Sequence, residues 1–183
     1  MFRSLVAVLF LSVLGLIAPF SHAAEPGFYL GGSIGQTSAD ICDGLSGCDD
    51  EDTGFKIFGG YSFNKNFAIE GGYFNPGESR VSGPGGFLSI EGSSIFVDAV
   101  GIIPLNEKFS LLGKIGLQRW EAEAKGVVLG APVSESDDGT DLKFGLGAQF
   151  DITQNFGARV EWERFDFDDT DIDFLSVGVL FRF

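Results

Sequence analysis

Eight stretches of this 183-residue chain alternate in hydropathy residue by residue, and none of similar length repeats at a helical period. A period of two puts apolar side chains on one face of a strand and the rest on the other. In GFYLGGSIGQ, Phe28, Leu30, Gly32 and Ile34 oppose Tyr29, Gly31, Ser33 and Gly35. GFKIFGGYSF sets Phe55, Ile57, Gly59, Tyr61 and Phe63 against Lys56, Phe58, Gly60 and Ser62. FAIEGGYFN sets Phe67, Ile69, Gly71 and Tyr73 against Ala68, Glu70, Gly72 and Phe74. SIFVDAVGII places Asp98 opposite Val97, Ala99 and Ile103. FSLLGKIGLQRW opposes Leu111, Gly113, Ile115 and Leu117 to Lys114, Gly116 and Gln118. DLKFGLGAQFDI keeps Leu142, Phe144, Leu146, Ala148, Phe150 and Ile152 on the face away from Lys143. FGARVEWERF opposes Phe156, Ala158, Val160 and Trp162 to Arg159, Glu161 and Glu163. The last strand, ending SVGVLFRF, aligns Leu175, Val177, Val179, Phe181 and Phe183.

The apolar faces are continuous and aromatic, and the opposite faces mix charge with glycine. A soluble sandwich hides its apolar face and exposes the charged one; a membrane barrel turns grease to lipid and charge to the lumen. Alternation alone fits both. The two ends of the chain favour the barrel. Gly178, Phe181 and the terminal Phe183 resemble the C-terminal signal that the barrel-assembly machinery of the bacterial outer membrane reads. At the other end, residues 1–23 read as a secretory signal peptide. Arg3 supplies the basic start, Leu5 to Phe20 the apolar run, and Ser21-His22-Ala23 a small-residue cleavage site. The apolar run is short for a helical span, which takes about 20 residues, and no charged stop follows it. The expected domain is then 24–183, exported and set in the cell outer membrane.

The formal charge is −14, and Arg3 leaves with the signal peptide. So acidic a surface repels nucleic acid. Cys42 and Cys48 are the only cysteines. In an exported chain, a pair this close is expected to form a local disulfide. The alternative, a metal site, is poorly served by two thiols and no histidine after His22. No metal or cofactor is expected.

The connections alternate in kind. FNKNF at 63–67, LNEKF at 105–109 and ITQNF at 152–156 are short polar turns that each end on a phenylalanine. Phe67, Phe109 and Phe156 are expected at one level, in an interfacial aromatic girdle. The other connections, 37–53, 76–87, 122–140 and 166–171, are expected to be long loops on the opposite rim. Three short turns and four long loops make eight strands, with both termini on the short-turn, periplasmic side. The fold expected is all-β: an eight-stranded antiparallel up-and-down transmembrane barrel.

GFYLGGSIG, the IFGGY-turn-FAIEGGY hairpin, LLGKIGL, ARVEWERF and the terminal FRF together resemble the small OmpA-like outer-membrane barrels. The resemblance runs through essentially all of 24–183. The sequence stops at Phe183 without the added periplasmic domain of full-length OmpA, so peptidoglycan binding is not expected. On the residues, Lys56, Glu70, Asp98, Lys114, Lys143, Arg159, Glu161 and Glu163 should point into the lumen and pair there, because unpaired buried charge is costly. The resemblance further implies that Glu70 and Arg159 match the lumenal gate pair of OmpA and that Lys114 matches another basic lumen position. Asp98 is a departure, because the comparable OmpA strand carries a basic residue. A switchable ion path and a packed polar plug are the two readings of this set.

Catalysis finds little support. The only histidine is His22, in the signal peptide, so a Ser-His pair is missing after cleavage. There is no Gly-x-Ser-x-Gly elbow or zinc motif. The first loop holds Asp40, Asp43, Asp49, Asp50, Glu51 and Asp52, and the last holds Asp166, Asp168, Asp169 and Asp171. Calcium would suit such clusters, but the spacing matches no EF-hand; a hydrated face beside lipopolysaccharide is the simpler reading. The expected role is structural or surface-exposed, with room for weak ion or small-solute permeation. The alternative is an adhesin or surface-interaction protein acting through its acidic extracellular loops. Expected partners are outer-membrane lipid, lipopolysaccharide and the assembly machinery, with the protein itself a monomer.

Overall fold

The computed structural model describes residues 26–39, 51–83, 86–128, 131–167 and 170–183. Its strands are β1 (Gly27–Ala39), β2 (Glu51–Ser62), β3 (Phe67–Asn75), β4 (Glu78–Gly83), β5 (Gly86–Pro104), β6 (Phe109–Val128), β7 (Ala131–Asp151), β8 (Phe156–Phe167) and β9 (Thr170–Arg182). Consecutive strands pair antiparallel except β3 and β4, which both pair β5, and β9 returns to β1. The sheet therefore closes on itself.

β3 and β4 are two halves of one stave. Both pair β5, but Asn75, Pro76 and Gly77 lie opposite only Gly92 and Ser93. That extra residue is a β-bulge. Gly77 takes it with φ of +95°, a backbone angle that glycine reaches without strain, and its N–H donates to Asn75 Oδ1 at 2.9 Å. Counting β3 and β4 once gives the eight-stranded barrel that the alternation predicts.

The facing is inside-out relative to a soluble protein. Leu30, Ile57, Ile95, Ile115, Leu146 and Val179 are exposed on the outer wall, Leu146 by 64 %. An apolar belt of this extent on a barrel is a lipid-facing surface. The inner wall carries the other half of each alternation.

The three short turns share one construction. The residue three before each phenylalanine caps the turn with its side chain. Asn64 Oδ1 accepts from the N–H groups of Asn66 and Phe67, Asn106 Oδ1 from Lys108 and Phe109, and Thr153 Oγ1 from Asn155 and Phe156. The turn then stitches to the next stave: Asn66 exchanges bonds with Ile102, and Asn155 with Arg182. Phe67, Phe109 and Phe156 are all exposed on the outer wall.

At the other rim the expected long loops need correction. Most of 76–87 and 122–140 is strand, with pairing out to Gly83↔Gly86 and Val128↔Ala131. The hairpin between β8 and β9 likewise pairs to Phe167↔Thr170. Beyond the lipid neither face of a strand needs to be greasy, so EAEAK alternates charge only with alanine and SESDDGTD carries no apolar period. Their hydrogen-bond ladder continues regardless.

Candidate functional site

The eight predicted lumen charges converge in the middle of the barrel. Every one is buried. Arg159 Nη1 lies 2.5 Å from Glu70 Oε1, and Lys114 Nζ 2.7 Å from Glu70 Oε2. Lys143 Nζ bridges Asp98 at 2.7 Å and Glu163 at 3.0 Å. Lys56 reaches Glu161 at 3.0 Å and also contacts Glu163, and Lys114 contacts Glu161. Four acids meet four bases, so the belt is formally neutral. Asp98, the departure from the family pattern, is neutralised by Lys143 on β7.

The register explains why long side chains fit. Seven of the eight charges sit opposite a glycine on an adjacent strand: Glu70↔Gly60, Asp98↔Gly116, Lys143↔Gly116, Lys114↔Gly145, Glu163↔Gly145, Glu161↔Gly147 and Arg159↔Gly178. Lys56 faces Ser33. A Cβ on Gly145 would stand 2.7 Å from Glu163 Cγ, and one on Gly147 3.0 Å from Glu161 Cγ. The missing side chains are the space the carboxylate stems occupy.

Aromatic rings close the belt on the long-hairpin side. Phe74 stacks on Phe165 at 4.0 Å and meets Phe174 at 4.9 Å. Lys143 Nζ lies 4.2 Å from the Phe96 centroid and 4.7 Å from that of Phe165. The Phe58 ring is approached by Lys56, Lys114 and Arg159 at 5.1–5.5 Å. Such cation–π contacts suit bases that have lost water. Toward the short turns, Ala68, Val100, Leu112 and Leu180 are buried. The interior is a polar layer between two apolar ones.

Several members were not singled out from sequence. Tyr29 donates from Oη to Glu70 Oε1 at 2.9 Å, and Arg159 Nε donates to Gln149 Oε1 at 2.8 Å. Gln118 Nε2 donates to the Asp166 carbonyl at 2.5 Å. All three lie on lumen-facing positions, and that phase was their only signal. Gly178 lies in the inner wall opposite Arg159. Phe181 packs on Phe156 and Phe183 at 5.0 and 5.1 Å, and the Phe183 N–H donates to the Phe28 carbonyl. Cys42 and Cys48 lie outside the described residues, as does the segment 1–23 expected to be a signal peptide. Among the described residues no group of three or more acids, histidines or cysteines is arranged to hold a metal.

Charge divides sharply along the barrel axis. After residue 23 the chain holds 26 acids and 11 bases. Among the described residues, thirteen acids and four bases fall in 51–53, 76–91, 119–141 and 164–173, at the long-hairpin end. Six described acids and seven bases lie elsewhere, so that end carries a net charge of −9 and the rest of the barrel is nearly neutral.

The Outer membrane protein beta-barrel domain family model matches residues 6–183. Among solved structures, Ail of Yersinia pestis, in complex with the heparin analogue sucrose octasulfate, is similar at 25 % identity and a TM-score of 0.62. That match covers 87 % of this chain and 99 % of Ail. Neisserial surface protein A is similar at 16 % identity and a TM-score of 0.59, over 89 % of this chain and all of its own. The N-terminal barrel of Pseudomonas aeruginosa OprF follows at 12 % and 0.58, over 86 % and 98 %. Comparison with curated proteins finds no match. Closed topology, outward apolar belt and family match agree: the chain belongs to the outer membrane protein beta-barrel domain family and resides in the outer membrane of Gram-negative bacteria.

Proposed function

We propose that this barrel is a surface-interaction protein without enzymatic activity: a filled, rigid stand that displays an acidic extracellular sheet. The filled lumen carries the reading. Eight buried charges neutralise one another, and Phe74, Phe96, Phe165 and Phe174 pack above them. Small barrels fill their interiors with side chains in this way. What then differs from the surroundings is the far end, where β6 and β7 run on to Val128 and Ala131 and the net charge collects. In this family the long connections face the exterior. The sulfated ligand of the Ail complex does not carry over, because an anion of that kind would meet a rim whose described residues carry a net charge of −9.

A switchable ion path is the second reading. Glu70 already contacts both Arg159 and Lys114, so a change of partner requires no new residue. Recording from the purified protein in a planar bilayer separates the two. The surface reading expects a silent membrane; discrete openings that Glu70→Gln changes would establish permeation instead.

A further inference from the structure

The inference below rests on the surface-interaction reading and names the partner's chemistry. β7 is paired with β6 along its whole length, from Ala131↔Val128 to Phe150↔Phe109. With β8 it pairs only from Lys143↔Phe165 to Asp151↔Gly157. Among the described residues, 131–142 therefore have a backbone partner on one side alone. These twelve residues span about 40 Å of extended chain. The cause is length: β8 turns back into β9 at Phe167↔Thr170, whereas the β6–β7 hairpin pairs out to Val128↔Ala131, so β7 goes on without its neighbour.

An open strand edge is a template for another strand. Its charge says which. Residues 131–142 hold Glu135, Asp137, Asp138 and Asp141 and no base. Asp138 is shared with Arg119 at 2.9 Å, and Asp141 accepts from Trp120 Nε1 at 2.6 Å. Glu135 and Asp137 are exposed and make no ion pair among the described residues. A second copy of this chain pairing edge to edge would set these acids against their own kind, which destabilises cross-strand pairs. We infer that the outer edge of β7, residues 131–142, receives an extended basic segment of a partner protein, held by backbone hydrogen bonds and selected by lysine or arginine.

The probe is a ten-residue peptide alternating lysine with threonine or valine, titrated into the protein in zwitterionic lipid nanodiscs. Binding should slow amide hydrogen exchange within 131–142. A peptide N-methylated at alternate residues keeps the charge but loses donors, and should bind roughly tenfold or more weakly. Glu135→Lys with Asp137→Lys should abolish the preference for the lysine peptide over a threonine-only version; both sites are exposed, so the fold is spared. Equal affinity for the methylated peptide, protection confined to other segments, or self-association of the protein through this edge would each overturn the inference. None of those failures bears on conductance, so the surface reading itself falls only to the planar-bilayer recording.

Discussion

Removing the charge of Glu163 should destabilise the barrel, and removing Lys56 as well should restore much of the loss. Glu163 is fully buried and touches Lys56, with Lys143 at 3.0 Å and Lys114 at 3.8 Å. One unit-charge pair at 3.0 Å has a gross attraction of about 5–6 kcal/mol at an effective dielectric of about 20. Desolvation offsets much of that, and breaking one side of a buried pair typically costs about 3–5 kcal/mol because the other charge is stranded. Glu163→Gln leaves four bases against three acids. Lys56→Met leaves the reverse imbalance. In the double variant Lys143 keeps Asp98, Lys114 keeps Glu161 and Glu70, and Arg159 keeps Glu70, so no remaining charge is left alone. Each single change should cost about 3 kcal/mol, and the double should recover at least about 2 kcal/mol of their sum. Urea titration in phosphatidylcholine vesicles, followed by tryptophan fluorescence, reads all four corners of the cycle. Strictly additive losses would refute the belt as a coupled unit.

Gly145→Ala should lower the same urea midpoint, a loss of about 1–3 kcal/mol in stability, because its Cβ meets the Glu163 stem. Gly113→Ala, whose nearest neighbour is Leu146 Cδ2 at 4.0 Å, should change little. Deleting Phe183 removes the last aromatic and its bond to the Phe28 carbonyl; outer-membrane yield should fall, and normal yield would contradict the assembly role of the C-terminus. Cys42 and Cys48 should be bridged in protein made in oxidising cells, which intact mass reads directly, and Cys42→Ser should leave the urea midpoint unmoved.

The period-two pattern was enough to orient every lumen charge, because a strand has only two faces and lipid fixes which one is greasy. The same reasoning fails beyond the membrane. The segments around Glu121 and Glu135 have no large apolar face to reveal a strand, so the β6–β7 hairpin reads as a loop. The bulge at Asn75–Gly77 was hidden similarly, since Pro76 and Gly77 look like the start of a turn. Which charge meets which depends on stagger between distant strands: Lys56 and Glu163 are 107 residues apart. Local pattern carries no information on that stagger. The glycines opposite the charges were visible as composition, but their partners appear only once the register is known. Tyr29 and Gln149 were in phase with the belt and uncharged, so nothing in the sequence marked them as its ligands.

The barrel's inside-out facing underlies both the lipid belt and the lumen charges, and the two tryptophans test it. Trp162 lies on the outer wall against Phe144, and Trp120 points inward, 5 % exposed and bonded to Asp141. In vesicles of lipid brominated near the headgroup end of the acyl chains, Trp120→Phe leaves Trp162 as the sole emitter, and its fluorescence should be strongly quenched. Trp162→Phe leaves Trp120, which should be nearly unaffected. Equal quenching of the two, or quenching of Trp120 alone, would mean that the alternation had been assigned to the wrong faces.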